Sequence, residues 1–140
     1  MKPIRFFFTN LSRLLRESET QALEFVMGLI AFDVGLQFFL GLLGLTTSSA
    51  LLRAFPFPLE FLISLGLIAG ALAKITGAVL NHQNTRMYAA LIHASIWFAL
   101  FVANISHLTI YTIIFILILA FQSSWIYIRL SLLRKQSRVP

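Results

Sequence analysis

The residues best suited to do chemistry are a lysine and a few polar side chains set inside long apolar runs. Lys74 interrupts the stretch IAGALAKITGAVL at 68–80, which is otherwise almost entirely apolar and small. A charged side chain within a membrane span is costly, and it typically faces protein or marks an ion or proton path. Lys74 shares one helical face with Gly66, Gly70 and Gly77. The pattern therefore predicts that Lys74 points into a bundle of helices.

Two acids in the first apolar run offer Lys74 a partner. At about 1.5 Å per residue, Glu24 lies near the end of that run, Asp33 near its middle, and Lys74 at a depth between them. An unpaired charge at the bilayer centre costs about 2.5–3.5 kcal/mol, so Asp33 needs a partner most. Gln37 lies one turn away on the same face. We expect Lys74 to pair with Asp33; the alternative is that Lys74 reaches the interface alone and marks orientation only.

Two further polar residues lie at similar depth, His93 in the third run and Gln122 in the fourth. The predicted intramembrane polar network is Asp33, Gln37, Lys74, His93 and Gln122. It is interpreted either as structural hydrogen bonds between helices, each worth about 0.6 kcal/mol, or as a path for protons or ions. The remaining histidines, His82 and His107, lie at opposite ends, so no set of metal or haem ligands converges. We predict no cofactor and no metal site.

Small residues indicate where the helices touch. Gly66 and Gly70 form a GxxxG pair, a spacing that permits close helix contact in lipid. The predicted packing positions are Gly28, Gly35, Gly66, Gly70 and Gly77. In the first run the glycines and Asp33 lie on different faces, so two faces of this run require protein contact. The first run is thus expected to pack centrally or to lie at a subunit interface.

The elements that carry these residues are four apolar runs. Hydrophobic residues make up 59% of the 140 residues and charged residues 11%, against about 45–50% and about 25% in soluble domains. A bilayer core of about 30 Å needs about 20 apolar residues per helix. The predicted fold is all-α, one membrane domain (1–140) with a bundle of four transmembrane helices. The predicted spans lie near 22–44, 59–80, 87–105 and 108–130.

The ends of the chain are basic. Residues 1–18 have apolar positions at three- and four-residue spacing with arginines between them, which predicts an amphipathic helix lying in the headgroup layer. Residues 131–140 form a basic tail. The predicted membrane-surface cations are Arg5, Arg13, Arg16, Arg134, Lys135 and Arg138. By the positive-inside rule both termini should be cytoplasmic. Basic residues beside a membrane need no nucleic acid to explain them, so none is expected as a partner.

Motifs of known enzyme classes are missing from the sequence. It contains no Gly-rich phosphate loop, no GxSxG and no HExxH. The absence of cysteine excludes disulfides and cysteine nucleophiles. We therefore expect a non-enzymatic protein whose partners are the lipid bilayer and either further copies of itself or another membrane protein.

The basic start RFFFTNLSRLLRESETQALEF, the four tight spans and the basic tail RLSLLRKQSR resemble small polytopic membrane proteins of tailed phages and bacteria. Among these the layout is similar to that of holins, a resemblance that implies self-association, pore formation and a location in the bacterial plasma membrane. Small multidrug transporters also have four spans with a carboxylate in the first, at a place comparable to Asp33. Three hypotheses remain open: a self-associating protein, a small channel or transporter using Asp33 and Lys74, and an accessory subunit of a larger complex.

Overall fold

Helices account for nearly all of the described chain. The computed structural model describes residues 19–46, 50–106 and 109–136. Each helix in this part is long and apolar enough to cross a membrane. In chain order they are α1 (Glu19–Leu42), α2 (Phe57–Leu80), α3 (Gln83–Asn104) and α4 (Ile110–Gln136). The predicted all-α membrane fold with four spanning helices is confirmed.

Several predictions fall on residues that are not described. The amphipathic helix expected within residues 1–18 lies outside the described ranges, and so do Arg5, Arg13, Arg16 and Arg138. The side chain of Lys135 is not described either, whereas Arg134 is half-buried near the end of α4.

The link between α2 and α3 is shorter than the sequence predicts. Asn81 ends α2 in the left-handed region, with φ 54° and ψ 36°. His82 then caps α3, its ring nitrogen accepting from the backbone N–H of Thr85 at 3.4 Å. The polar stretch that follows is therefore the first turn of α3 and not a loop. This places Arg86 on a helix, inside the bundle.

The other boundaries follow from local chemistry. Pro58 lies in the first turn of α2, where its missing N–H costs no helical hydrogen bond. Glu60 lies in the same turn, where an acid favours the positive end of the helix dipole. At the far end, α4 continues to Gln136, beyond the predicted span, because the basic residues after the apolar run are also good helix formers.

The helices pack in sequence order. α2 and α3 form the central pair, α1 packs on α2, and α4 packs on α3. All four nevertheless contribute to one apolar core, whose buried residues include Met27, Ala31, Phe38, Leu67, Ala71, Trp97, Leu100, Ile116, Leu119 and Ala120. Because α1 and α4 are the outer helices, a large share of their surface faces the surroundings of the bundle.

Glycines permit the close approach of α1 to α2. A β-carbon on Gly28 would lie 2.8 Å from Cγ1 of Ile75, and one on Gly35 would lie 2.9 Å from Cβ of Leu67. These two contacts also fix the register of the antiparallel pair, since Gly28 lies level with Ile75 and Gly35 level with Leu67. The face of α1 that carries both glycines is therefore the face packed on α2.

Candidate functional site

A buried ion pair joins α1 to α3 near one end of the bundle. Nε of Arg86 donates to Oε2 of Glu24 at 2.8 Å, and Nη2 donates to Oε1 at 2.6 Å. Both side chains are buried, that of Glu24 completely. The two parallel bonds form the bidentate geometry that makes arginine–carboxylate pairs strong and directional. Breaking one partner of such a pair leaves a buried charge without compensation.

Two features of α2 position Arg86. Gly77 lies beside it, where a β-carbon would be 2.9 Å from Cγ of Arg86 and 3.1 Å from its backbone nitrogen. Asn81, at the end of α2, accepts from Nη1 of Arg86 at 3.0 Å, and the same oxygen accepts from the amide of Gln21. The side chain of Arg86 therefore passes Gly77 to reach α1, and Asn81 in the turn after α2 holds it in place.

Lys74 and His93 form a second buried contact deeper in the bundle. Nζ of Lys74 lies 3.5 Å from Nδ1 of His93, and Nε2 of His93 lies 3.3 Å from the carbonyl oxygen of Leu67. Because a carbonyl only accepts, Nε2 carries the hydrogen, which leaves Nδ1 as the acceptor for the lysine. Gly70 makes room for the ring, since a β-carbon there would lie 2.7 Å from Nε2 of His93.

The expected pair of Lys74 with Asp33 is wrong. Lys74 is 1% exposed and points into the bundle, where its Nζ atom lies 3.5 Å from Nδ1 of His93. Asp33 is exposed on the outside of α1. It follows Gly28 by five residues, which at about 100° per residue turns it about 140° from the face packed on α2. The depths of the two residues were similar, but their directions differ.

Asp33 instead forms a pair with its neighbour on the same helix. Nε2 of Gln37 donates to Oδ2 of Asp33 at 2.7 Å, and both side chains are exposed. Asp33 lies about 18 Å from Gln21 and about 14 Å from Leu42 along the apolar part of α1, close to its middle. A polar pair therefore occupies the outer face of α1 at the depth of the bilayer centre.

The predicted network is thus divided. Lys74 and His93 meet in the interior, Asp33 and Gln37 meet on the outer face of α1, and Gln122 lies half-buried on α4. Beside Gln122, the hydroxyl oxygen of Ser123 is buried without a hydrogen-bond partner. The five residues do not form one continuous layer.

An open pocket of about 290 Å³ lies beside the ion pair of Glu24 and Arg86. Its polar lining is Gln21, Glu24, Asn81, Gln83, Arg86 and Arg129, and its apolar wall is Ile126, Leu130 and Leu133. Both carboxylate oxygens of Glu24 already accept from Arg86. This bidentate arrangement between two helices is suited to fastening them together.

The deeper contact also ends within the bundle. Lys74 lies beside His93, and Nε2 of the His93 ring faces the carbonyl oxygen of Leu67. Beyond that point Trp97 and Leu100 are buried in the apolar core. Within the described ranges, this line of polar side chains does not continue to the other end of the helices, and no three His, Asp or Glu side chains converge as metal ligands.

Sequence reasoning missed the ion pair of Glu24 with Arg86. The signal was present, because Glu24 shares a face with Gly28, and Arg86 shares a stripe with His93. Hydropathy concealed it by assigning Arg86 to a loop. Comparison with known proteins adds no relative, since no family model, curated protein or solved structure matches the chain.

Proposed function

We propose that this chain is a non-enzymatic membrane protein that acts by assembling with other membrane-spanning helices through the outer face of α1. The observation that supports this proposal is the exposed carboxyl group of Asp33 near the middle of the helix. Polar groups at this depth that face lipid are costly, and those found there usually face a bundle interior or a partner.

Gln37 relieves only part of that cost. Its amide donates one hydrogen bond to Oδ2 of Asp33, which leaves the other carboxyl oxygen and the rest of the amide facing outward. Insertion scales assign about 2.5–3.5 kcal/mol to an aspartate at the centre of a spanning helix. A protein surface that covers the pair removes this cost, and the saving becomes a driving force for association.

Conduction through a single copy is less well supported. The buried contact of Lys74 with His93 is the feature that favours an ion or proton path, but it ends at the carbonyl of Leu67. The ion pair of Glu24 and Arg86 lies between it and the pocket. We assign these interior groups a structural role, in which they fix α1, α2 and α3 against one another.

A holin-like pore is the form of assembly that the sequence resemblance favours. Pore formation requires many copies to associate in the plane of the membrane, and the outer face of α1 supplies one contact surface. Expression should then cause leakage of the membrane, and Asp33→Leu should abolish it. Leakage that Asp33→Leu leaves unchanged would contradict a pore built on this face.

Photocrosslinking in cell membranes tests the proposed function. A photoreactive amino acid replaces Leu36, which lies beside Asp33 on α1. The matched control replaces Leu65 on α2, which is similarly exposed. Because Gly35 packs against Leu67, positions 36 and 65 lie at nearly the same depth. Position 36 should yield a protein adduct that Asp33→Leu removes, and position 65 should yield lipid adducts. Lipid adducts alone at both positions would overturn the proposal.

A further inference from the structure

The outer face of α1 carries a heptad pattern as well as a polar pair. Apolar residues and Asp33 recur there at alternating spacings of three and four, and the pattern continues to the residue directly after the helix: Val26, Leu29, Asp33, Leu36, Leu40 and Leu43. All are exposed except Leu40, which is half-buried. This a/d spacing is the pattern by which two helices pack in a left-handed coiled coil. We call these six residues the α1 seam.

The polar pair occupies a defined place in this pattern. Asp33 stands at a central a position, with Val26 and Leu40 at the a positions on either side, and Gln37 stands at the flanking e position. A single polar residue among apolar a positions fixes the register and the number of helices in a coiled coil. The α1 seam therefore specifies one alignment, in which the polar layer of α1 meets a polar layer of its partner.

We propose that the partner is a second copy of this chain, packed in parallel along the α1 seam with Asp33 and Gln37 of both copies meeting at a two-fold axis. This inference rests on the proposed function and names its partner. Two copies inserted with the same orientation present the same heptads at the same depth, so the a and d layers of both match without any offset.

The polar pair is complementary to itself. Gln37 reaches Asp33 at 2.7 Å, so its amide lies at the level of the carboxyl group although its backbone is one turn away. The amide keeps a second N–H, and Asp33 keeps a second oxygen. A two-fold axis parallel to the membrane normal brings these spare donors and acceptors together reciprocally. Asparagine has the same shape as aspartate and keeps hydrogen-bonding groups at the same place, so it is the conservative substitute.

A helix that carries a lysine or arginine is the alternative partner. It would need a cation at one depth, but it would have no reason to repeat the apolar heptads of the α1 seam. The seam extends from Val26 to Leu43, over most of α1. A partner helix with the same heptad repeat explains the spacing of the α1 seam, and α1 of a second copy is such a helix.

Cysteine crosslinking of the purified protein in lipid vesicles distinguishes these partners. The chain has no cysteine of its own, so Leu29→Cys reports on a d layer, where partner residues are close enough for a disulfide. Leu72→Cys on α2 is the control, because Leu72 is 50% exposed and Leu29 is 47% exposed. The two positions also lie at nearly the same depth, since Gly28 packs against Ile75 of α2.

Under oxidation with a lipid-soluble oxidant, Leu29→Cys should give a disulfide-linked dimer, and Leu72→Cys should remain monomeric. Adding Asp33→Leu should lower the yield by about tenfold, the order expected when one or two hydrogen bonds between helices are lost, and Asp33→Asn should retain it. Monomer at Leu29→Cys, or equal dimer at both positions, would overturn the second copy as partner. If position 36 still gives an Asp33-dependent protein adduct in cell membranes, the proposed function survives with a different partner.

Discussion

Gly77 and Arg86 are in contact because α2 has no side chain at that point. A β-carbon on Gly77 would lie 2.9 Å from Cγ of Arg86 and 3.1 Å from its backbone nitrogen. Arg86 uses this gap to reach Glu24, and the resulting ion pair ties the first outer helix to the central pair. A glycine therefore determines whether a buried charge finds its partner.

Replacing Gly77 with alanine should destabilise the protein by about 1–3 kcal/mol, the usual cost of overpacking, because the neighbouring backbone cannot move aside. Thermal unfolding in detergent measures the loss. Gly66→Ala is the control: a β-carbon there would meet only Cδ1 of Ile96, the end of a flexible side chain, at 2.9 Å. Equal losses for the two variants would contradict the role given to Gly77.

The ion pair itself should behave as a unit. Arg86→Leu and Glu24→Leu should each cost about 3–5 kcal/mol, because each leaves a buried charge without its partner. The double variant should cost clearly less than the sum, since no charge is then left unpaired. Arg86→Lys should also lose stability, because an ammonium group cannot form the two parallel bonds. Additive losses in a chemical unfolding series would mean that the two residues do not interact.

Lys74 should be energetically coupled to His93 and independent of Asp33. Its Nζ atom lies 3.5 Å from the ring of His93, and contacting residues typically show coupling of about 0.5–3 kcal/mol in double-variant cycles. For Lys74→Leu with Asp33→Leu, the losses should add within about 0.5 kcal/mol. Strong coupling of Lys74 to Asp33, measured in the same detergent, would require α1 to be turned so that Asp33 faces the interior.

The sequence was sufficient for the helices and for the direction of Lys74. Apolar run length predicted four spans, and the glycines on its own face predicted that Lys74 points inward. Depth along a helix follows from counting residues, but the choice between two helix faces does not. α1 carries glycines on one face and Asp33 on another, and the packing of Gly28 and Gly35 on α2 decided between them.

The ion pair illustrates a different limit. Hydropathy locates where apolar sequence ends, whereas a helix ends where its backbone is capped. Asn81 and His82 confine the turn to two residues, so Arg86 belongs to α3 although its surroundings in the sequence are polar. Pairing between Glu24 and Arg86 depends on this turn, and apolar run lengths contain no information about it.

Topology can be tested at the two ends of α2, in the link before it and in the first turn of α3. Ala54 and Asn84 are exposed on either side of α2, so cysteines at these positions should lie on opposite sides of the membrane. By the positive-inside rule we expect a membrane-impermeant maleimide to label Ala54→Cys on intact cells and Asn84→Cys only after permeabilisation. Labelling of both from the same side would contradict a membrane-spanning α2, and the reverse pattern would contradict the orientation inferred from charge.

The central claim is that α1 associates with a second copy of the chain through Asp33, and its most direct measurement is the dimerisation equilibrium in a bilayer. Energy transfer between copies labelled at the C-terminus, recorded as the protein-to-lipid ratio is lowered, gives the dissociation constant. We predict that Asp33→Leu weakens association by about tenfold and that Asp33→Asn leaves it nearly unchanged. Equal dissociation constants for the wild type and Asp33→Leu, or a monomeric wild type at every ratio, would contradict the account.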